Sequence, residues 1–261
     1  MEPFSYTVVV SLDAHYIDHF ESGFPTLWKF RQSLFDQPWV FFLNGKCAPQ
    51  LAGRLQRLFA IGLEDFQPRY IHWPPASCET LYESQRHRML AAYVHGAAIL
   101  VETPYMMKLD GDAYATGYAD NWEPWHYLRQ EDVYLAPKWG YTKPPEQMAQ
   151  LDAWADQHYG FKGTNPLRLP VETGAGKCRH ARMCSWVSWY RMDHLIRLQT
   201  ACTEWRLPVP SQDGFVWYCT ERLGKPWSRY PAKSLGWANA KNINRHRAEV
   251  AKAMEVPCTA M

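Results

Sequence analysis

At 261 residues the chain is long enough for one large domain with its own hydrophobic core, or for a domain with a small appendage. Its net charge of +2 creates no strong global field, which argues against a chain whose whole surface serves to wrap a polyanion; the densest basic cluster is Lys241 with Arg245, His246 and Arg247. The seven cysteines are odd in number and contain no Cys-x-x-Cys pair, so a disulfide framework is not expected, and free thiols in a reducing, cytoplasmic setting are.

Met1 runs almost directly into a strand-like stretch without a basic region or a cleavage site, so no signal peptide is expected. No apolar stretch reaches the roughly 18 residues needed to span a bilayer. Aromatic residues make up 15% of the chain, with 13 Trp, a surplus that suits a site stacking flat rings or sugar faces.

In chain order, Tyr6 to Leu12 is a β-branched run with the pattern of a strand buried on both faces. A segment around Phe24 to Phe35 has mixed helical spacing. Pro38 to Leu43 reads as a second strand, stopped by Asn44-Gly45, and Pro49 to Leu63 as an amphipathic helix. Arg69 to Trp73 is a third strand, Glu79 to Val101 a long helix, and Tyr105 to Asp110 a fourth strand. This alternation predicts an α/β fold with an open, mostly parallel sheet flanked by helices. In such sheets ligands bind at the carboxyl ends of the strands, where Ser11, Asp13, Asn44, Trp73, Asp110 and Asp112 stand.

The second half is less regular. Asp132 to Tyr141 reads as a strand, Pro145 to Tyr159 as a helix, Gly160 to Lys177 as a long loop, and Ala181 to Leu198 and Phe215 to Leu223 as helices. Residues 225–261 read as a tail of turns with a final helix, packing on or near the site.

The chemistry concentrates in Lys108-Leu109-Asp110-Gly111-Asp112, where a buried strand ends in two carboxylates separated by one glycine. Residues i and i+2 of an extended segment point the same way, so both carboxylates can face one divalent cation bound to a diphosphate. Gly111 is expected to leave room for close approach of the ligand. The bland alternative is a solvated turn that caps a helix. Two other motifs fail: Gly174-Ala175-Gly176-Lys177 precedes Cys178 where a phosphate loop needs Ser or Thr, and Tyr114 occupies a required ligand position of a calcium loop.

The order of features resembles the GT-A fold glycosyltransferases, and among them the large inverting family 2. The resemblance rests on Val10-Ser11-Leu12-Asp13, on the Arg86-bearing helix leading into Met107 to Asp112, on Ala181 to Leu195, and on Ser211-Gln212-Asp213-Gly214 followed by Glu221 to Gly224. It covers about residues 6–224. It implies a nucleotide-sugar-binding half over about 1–115 and an acceptor-side half over about 116–224, with a Rossmann-like first half. Gln212 stands where the family has Glu, and the family's processive arginine motif is absent.

The resemblance further implies an inverting transfer from a nucleoside-diphosphate sugar, UDP favoured, to an acceptor hydroxyl. Asp112, aided by Asp110, would hold Mn²⁺ or Mg²⁺, and a late histidine would join them: His246 first, His180 second. Arg86, with Arg88 behind it, would meet the diphosphate. Ser11, Asp13, Asn44, Trp73, Asp110 and Gly111 would hold the nucleotide, and Asp213 would act as catalytic base. The acceptor would be a glycan or small molecule, with a hydroxymethylated DNA base as an alternative. Outside this class stand a phosphohydrolase with Asp110 as nucleophile, a nucleotidyltransferase, and a Trp-rich binding module without catalysis.

Overall fold

The computed structural model describes residues 4–44, 48–63, 65–73, 89, 91–143, 153, 171–173, 177–183, 186–201, 216, 220 and 225–256. Its centre is a seven-stranded sheet. The strands of the first half are β1 (Tyr6–Leu12), β2 (Trp39–Asn44), β3 (Arg69–Trp73) and β4 (Tyr105–Asp110). β6 (Tyr134–Ala136), β10 (Val187–Arg191) and β11 (Trp227–Arg229) complete it, in the order β11-β6-β10-β4-β1-β2-β3. β10 alone runs against its neighbours β4 and β6, and the other pairings are parallel.

Helices cover both faces because the buried strands are apolar on both. Val8, Val10, Phe41, Leu43, Met107 and Leu109 pack on one side with α1 (Ile17–Phe30) and α2 (Ala48–Phe59). Val9, Val40, Phe42 and Met106 pack on the other with the π-type turn Ala91–Gly96, its continuation α3 (Ala97–Leu100), and α4 (Met192–Ala201). This is the alternation that a strand covered on both faces produces. Two small sheets flank the large one. β5 (Ala113–Ala115) pairs with β12 (Trp237–Asn239), and β7 (Lys138–Lys143), β9 (Lys177–Met183) and β8 (Val171–Thr173) form a three-stranded antiparallel sheet. The final helix, α5 (Ile243–Met254), packs on α1.

The expected α/β class and mostly parallel sheet hold, and five local expectations change, one of them the loop expected over Gly160 to Lys177, which contains strand β8 (Val171–Thr173). The first helix spans Ile17–Phe30, because Ile17, Phe20, Phe24 and Leu27 already form a buried stripe. The single strand expected over Asp132 to Tyr141 is two strands in different sheets, separated at Pro137, which lacks a ladder donor. The helix expected over Ala181 to Leu198 starts only at Met192; before it, Val187–Arg191 pairs antiparallel with β4. Sheet pairing there overrides the helical spacing, as β-branched and aromatic residues allow. The expected tail of turns contributes β11 to the edge of the main sheet. Helices expected over 145–159 and 215–223 are described only at Ala153 and at Val216 and Thr220. Among the described residues no helix is long and apolar enough to cross a membrane.

Arg31 joins the late segment to the first half. It is buried, donates to the carbonyls of Gly117 (3.0 Å) and Gly236 (3.3 Å) and to Leu235, and lies 5.0 Å from the Trp237 ring and 5.4 Å from that of Trp122. Burial lowers its pKa to about 10, so the carbonyls and ring faces keep a costly charge in place. Gly236 has φ of +68°, and a Cβ there would lie 3.1 Å from an Arg31 guanidinium nitrogen and 3.1 Å from Gly117 O. Gly236→Ala is therefore expected to destabilise the fold by about 1–3 kcal/mol in urea denaturation; an unchanged midpoint would remove Arg31 from this role.

Candidate active site

β1 is where the sheet changes direction of growth: β2 and β3 extend it on one side and β4 lies on the other. Crevices at such a point, outside the carboxyl ends, are where α/β sheets bind ligands. Ser11 is the register partner of Asp110, so the Asp110-Gly111-Asp112 turn leaves the sheet at this crevice.

The strand ends are tied together by side chains. The Tyr93 hydroxyl accepts from the Ser11 N–H (2.8 Å) and donates to Leu109 O (3.2 Å), fastening β1 to β4. Asn44 Nδ2 donates to Ser11 Oγ (2.9 Å) and Leu12 O (3.0 Å), fastening β2 to β1. Asp13 Oδ1 accepts the N–H groups of His15 and Tyr16, both at 2.9 Å, and shapes the turn into α1. The Asp110 N–H donates to Trp186 O (2.9 Å).

The two carboxylates differ. The Asp110 side chain is 23% exposed and is ion-paired with Lys108, whose ammonium is fully buried and lies 4.8 Å from the Tyr93 ring centre. Asp112 is only 2% exposed. Burial raises its pKa, against the opposing charges of Lys108, Lys241 and His15. Tyr16 stands among the carboxylates: burial first, then Asp112, Asp110 and Asp13, push its hydroxyl up to about 12, so it remains a proton donor at neutral pH. Gly111 is needed for packing, since a Cβ there would lie 2.6 Å from Leu12 Cδ2 and 3.1 Å from Tyr16 Cβ. The space expected to admit a ligand at Gly111 is filled by these two side chains.

His246, on α5, is completely buried. Its ring lies 4.9 Å from Tyr114 and 5.2 Å from His19, and neither ring nitrogen has a hydrogen-bond partner among the described residues. Burial and then His19 lower its pKa to about 4; the nearby Asp112 main chain opposes the shift without closing a well-formed hydrogen bond. His19 in turn donates from Nε2 to Lys241 O (3.0 Å), which holds the loop before α5 against the start of α1.

Beside the carboxylates lies a cleft of about 850 Å³. Trp186 and Tyr230 line it together with Arg229, Lys233, Lys241 and Arg245, and its described lining includes no carboxylate. Arg245 pairs with Glu249 at 2.7 Å, so the basic cluster seen in sequence is partly neutralised, and His246 within it faces inward.

Ser11, Asp13, Asn44, Asp110, Gly111 and Asp112 thus meet at one edge, with His246 near the Asp112 main chain. Trp73 reaches the same edge as the partner of Asn44, and His180 lies on β9 opposite Tyr141. Arg86, Arg88 and Asp213 lie outside the described residues. Lys108, Tyr16 and Tyr93 stand at the site although the sequence assigns them no role there, and Lys241 stands there although the sequence places it only in the basic cluster. The signal for Lys108 was present: a lysine in an otherwise apolar strand, two residues before an aspartate.

A metal suits the chemistry of these groups, since a buried carboxylate with a raised pKa and a histidine with two unpartnered ring nitrogens both gain from a cation. Among the described residues no three His, Cys, Asp or Glu side chains converge closely enough to hold an ion by themselves. The donor set therefore fits a cation bound by one or two carboxylates and completed by substrate phosphates.

Asp112→Asn is expected to raise the melting temperature of the metal-free protein at neutral pH. A carboxyl whose folded pKa is raised opposes folding fully above that pKa and not at all below about 3.8, its ordinary value. The gain should therefore shrink as pH falls toward 4. A loss of stability in Asp112→Asn at pH 8 would contradict this account.

No protein-family model matches the chain, and no curated protein is recognisably similar in sequence. Solved structures are similar in fold. Core-mannan synthase A from Aspergillus fumigatus, in its Mn/GDP form, matches with a TM-score of 0.50 at 9% identity, over 90% of this chain and 70% of that one. The mannosyltransferase Ktr4p from S. cerevisiae gives 0.51 at 8% identity, over 82% and 62%. The galactosyltransferase LgtC, in complex with donor and acceptor sugar analogs, gives 0.51 at 9% identity, over 97% and 98%. The chain spans 62% of the yeast protein's length. The mixed, mostly parallel sheet and its helical layers are those of the GT-A glycosyltransferase fold.

Proposed function

We propose that this protein is a metal-dependent glycosyltransferase that moves a sugar from a nucleoside diphosphate to an acceptor hydroxyl. The observation that carries the reading is the Asp110-Gly111-Asp112 turn at the switch point of a GT-A sheet, beside a cleft lined by the cationic side chains of Arg229, Lys233, Lys241 and Arg245. The matched core-mannan synthase is a Mn/GDP form and the matched LgtC holds donor and acceptor sugar analogs, which supports the same class of ligands here. The donor base is uracil or guanine, the first from the sequence resemblance and the second from the Mn/GDP form of the structurally similar core-mannan synthase.

Asp112 and Asp110 would hold Mn²⁺ or Mg²⁺, with His246 as the candidate for a further ligand. When bound, the ion neutralises charge on the departing diphosphate. The chain's own residues do the rest. Ser11, Asp13, Asn44 and Trp73 shape the nucleoside side of the crevice. Lys108 limits repulsion between the two carboxylates. Lys241 and Arg229 attract the anionic donor into the cleft.

In the reaction the bond from acceptor oxygen to C1 forms as the bond from C1 to the phosphate oxygen breaks. Asp213 takes the acceptor proton, and the anomeric centre inverts. Membership of family 2 and inversion both belong to this proposal. The acceptor is a glycan or small molecule; the pairing of Arg245 with Glu249 weakens the case for DNA.

Incubation with UDP-glucose, UDP-galactose and GDP-mannose in Mn²⁺ should release nucleoside diphosphate from at least one donor. A chelator should abolish the release, and Asp112→Asn should lower it by about 10²-fold or more. Release that is indifferent to chelator and to Asp112 would overturn the reading. NMR of the new anomeric centre tests inversion separately: a retained configuration would remove Asp213 as base and leave the donor site intact.

A further inference from the structure

A second cleft, of about 670 Å³, opens at the opposite edge of the sheet. Its walls are the end of α1, the turn Gln32–Asp36, the residues that open β2, and the loop before β3. Pro38 O accepts from the Val8 N–H (2.8 Å), which fixes the cleft to the central strand. It lies at the amino ends of β1 and β2, about 20 Å of strand away from the Asp110–Asp112 edge.

The aromatic residues of the cleft play two distinct parts. Phe35 stacks on Trp39 (5.5 Å, 14°) and meets Phe66 edge-on (5.7 Å). Trp39 also donates its indole N–H to Leu34 O (2.8 Å). These three rings are fixed by one another. Trp28, which touches Phe35 at 5.2 Å, is 37% exposed and presents an indole at the cleft.

Planar hydrogen-bonding groups line the same cleft as that indole. Gln32, Asp36, Asp65 and Gln67 line the cleft and are exposed. Gln37 also lines it, uses its side-chain carbonyl to accept the Tyr6 N–H (3.3 Å), and retains its NH₂ donors. The described lining carries two carboxylates and no Lys or Arg.

This chemistry selects its ligand. Two carboxylates without a cation repel phosphate, so the cleft is not a second nucleotide site. A cage for a quaternary ammonium needs several ring faces turned on the ligand, and three of these four rings are packed on one another. One exposed indole flanked by amides and carboxylates matches an uncharged sugar. The C–H face of a pyranose packs on the ring, and its hydroxyls meet groups that both donate and accept.

We propose that this cleft is a second carbohydrate-binding site, separate from the Asp110–Asp112 edge, that takes an uncharged oligosaccharide. It stands on its own residues and does not depend on the transferase reading. In a glycosyltransferase it would hold a remote part of the acceptor or product chain and raise its effective concentration at the reacting edge.

Saturation-transfer NMR on the full chain with maltotetraose, mannotetraose, cellotetraose and tetra-N-acetylchitotetraose tests it. At least one should bind saturably at millimolar concentration. Trp28→Ala should weaken that binding about tenfold or more, and Asp112→Asn should leave it unchanged. The double variant Gln32→Ala/Asp36→Ala changes exposed groups only and should also weaken binding, which keeps the test decisive if Trp28→Ala does not fold. The proposal is overturned if none of the four binds, if binding survives in the folded variants, or if tetramethylammonium binds in place of the sugars. A failed donor assay with intact Trp28-dependent binding would defeat the transferase reading alone.

Discussion

The site depends on one buried positive charge. The Lys108 ammonium has no exposed surface and is held by the Asp110 carboxylate and the face of Tyr93. A buried ammonium is costly unless it is paired and hydrogen-bonded, and a buried carboxylate such as Asp112 has the converse need. Lys108 serves both aspartates, which limits the repulsion between two carboxylates at one strand end. Tyr93, whose ring receives the ammonium, also has the hydroxyl that fastens β1 to β4. The electrostatics of the site and the register of the sheet are therefore one arrangement, and a change at Lys108 would disturb both.

The rest of the chain closes around that edge. Arg31 carries the segment around Leu235 to Trp237 back onto the first half, which brings Lys241 and α5 alongside the carboxylates. The two ends of the sheet then differ in chemistry. The carboxyl edge has one buried and one half-buried acid beside a basic cleft and suits an anionic ligand with a cation. The amino edge has an exposed indole among amides and carboxylates and suits a neutral one.

Much of the first half was legible in the sequence because its strands are short apolar runs with clear stops. Tyr6–Leu12, Arg69–Trp73 and Tyr105–Asp110 have the bounds that the runs suggest. The convergence of Ser11, Asn44 and Asp110 followed from parallel strands sharing one edge. Residues 187–191 were illegible as a strand, because Trp186, Val187 and Tyr190 also fit a helical stripe and only pairing with β4 decides between them. Lys108 and Arg31 were passed over for a related reason. Local patterning shows Asp110 two residues from Lys108, but it records neither the Tyr93 ring that meets this ammonium nor the carbonyls of Gly117, Leu235 and Gly236 that hold Arg31, all of them distant in sequence. Gly111 shows the same limit: its place in the motif suggested room for a ligand, and its neighbours Leu12 and Tyr16 fill that room.

The most direct test of the central claim is Mn²⁺ electron paramagnetic resonance of the full chain with UDP or GDP. The account predicts that the free-ion signal falls when protein and one of the nucleotides are both present, and that Asp112→Asn restores it. A signal that stays at its free-ion level with either nucleotide, or that falls equally in Asp112→Asn, would contradict a cation and diphosphate held at the Asp110–Asp112 edge.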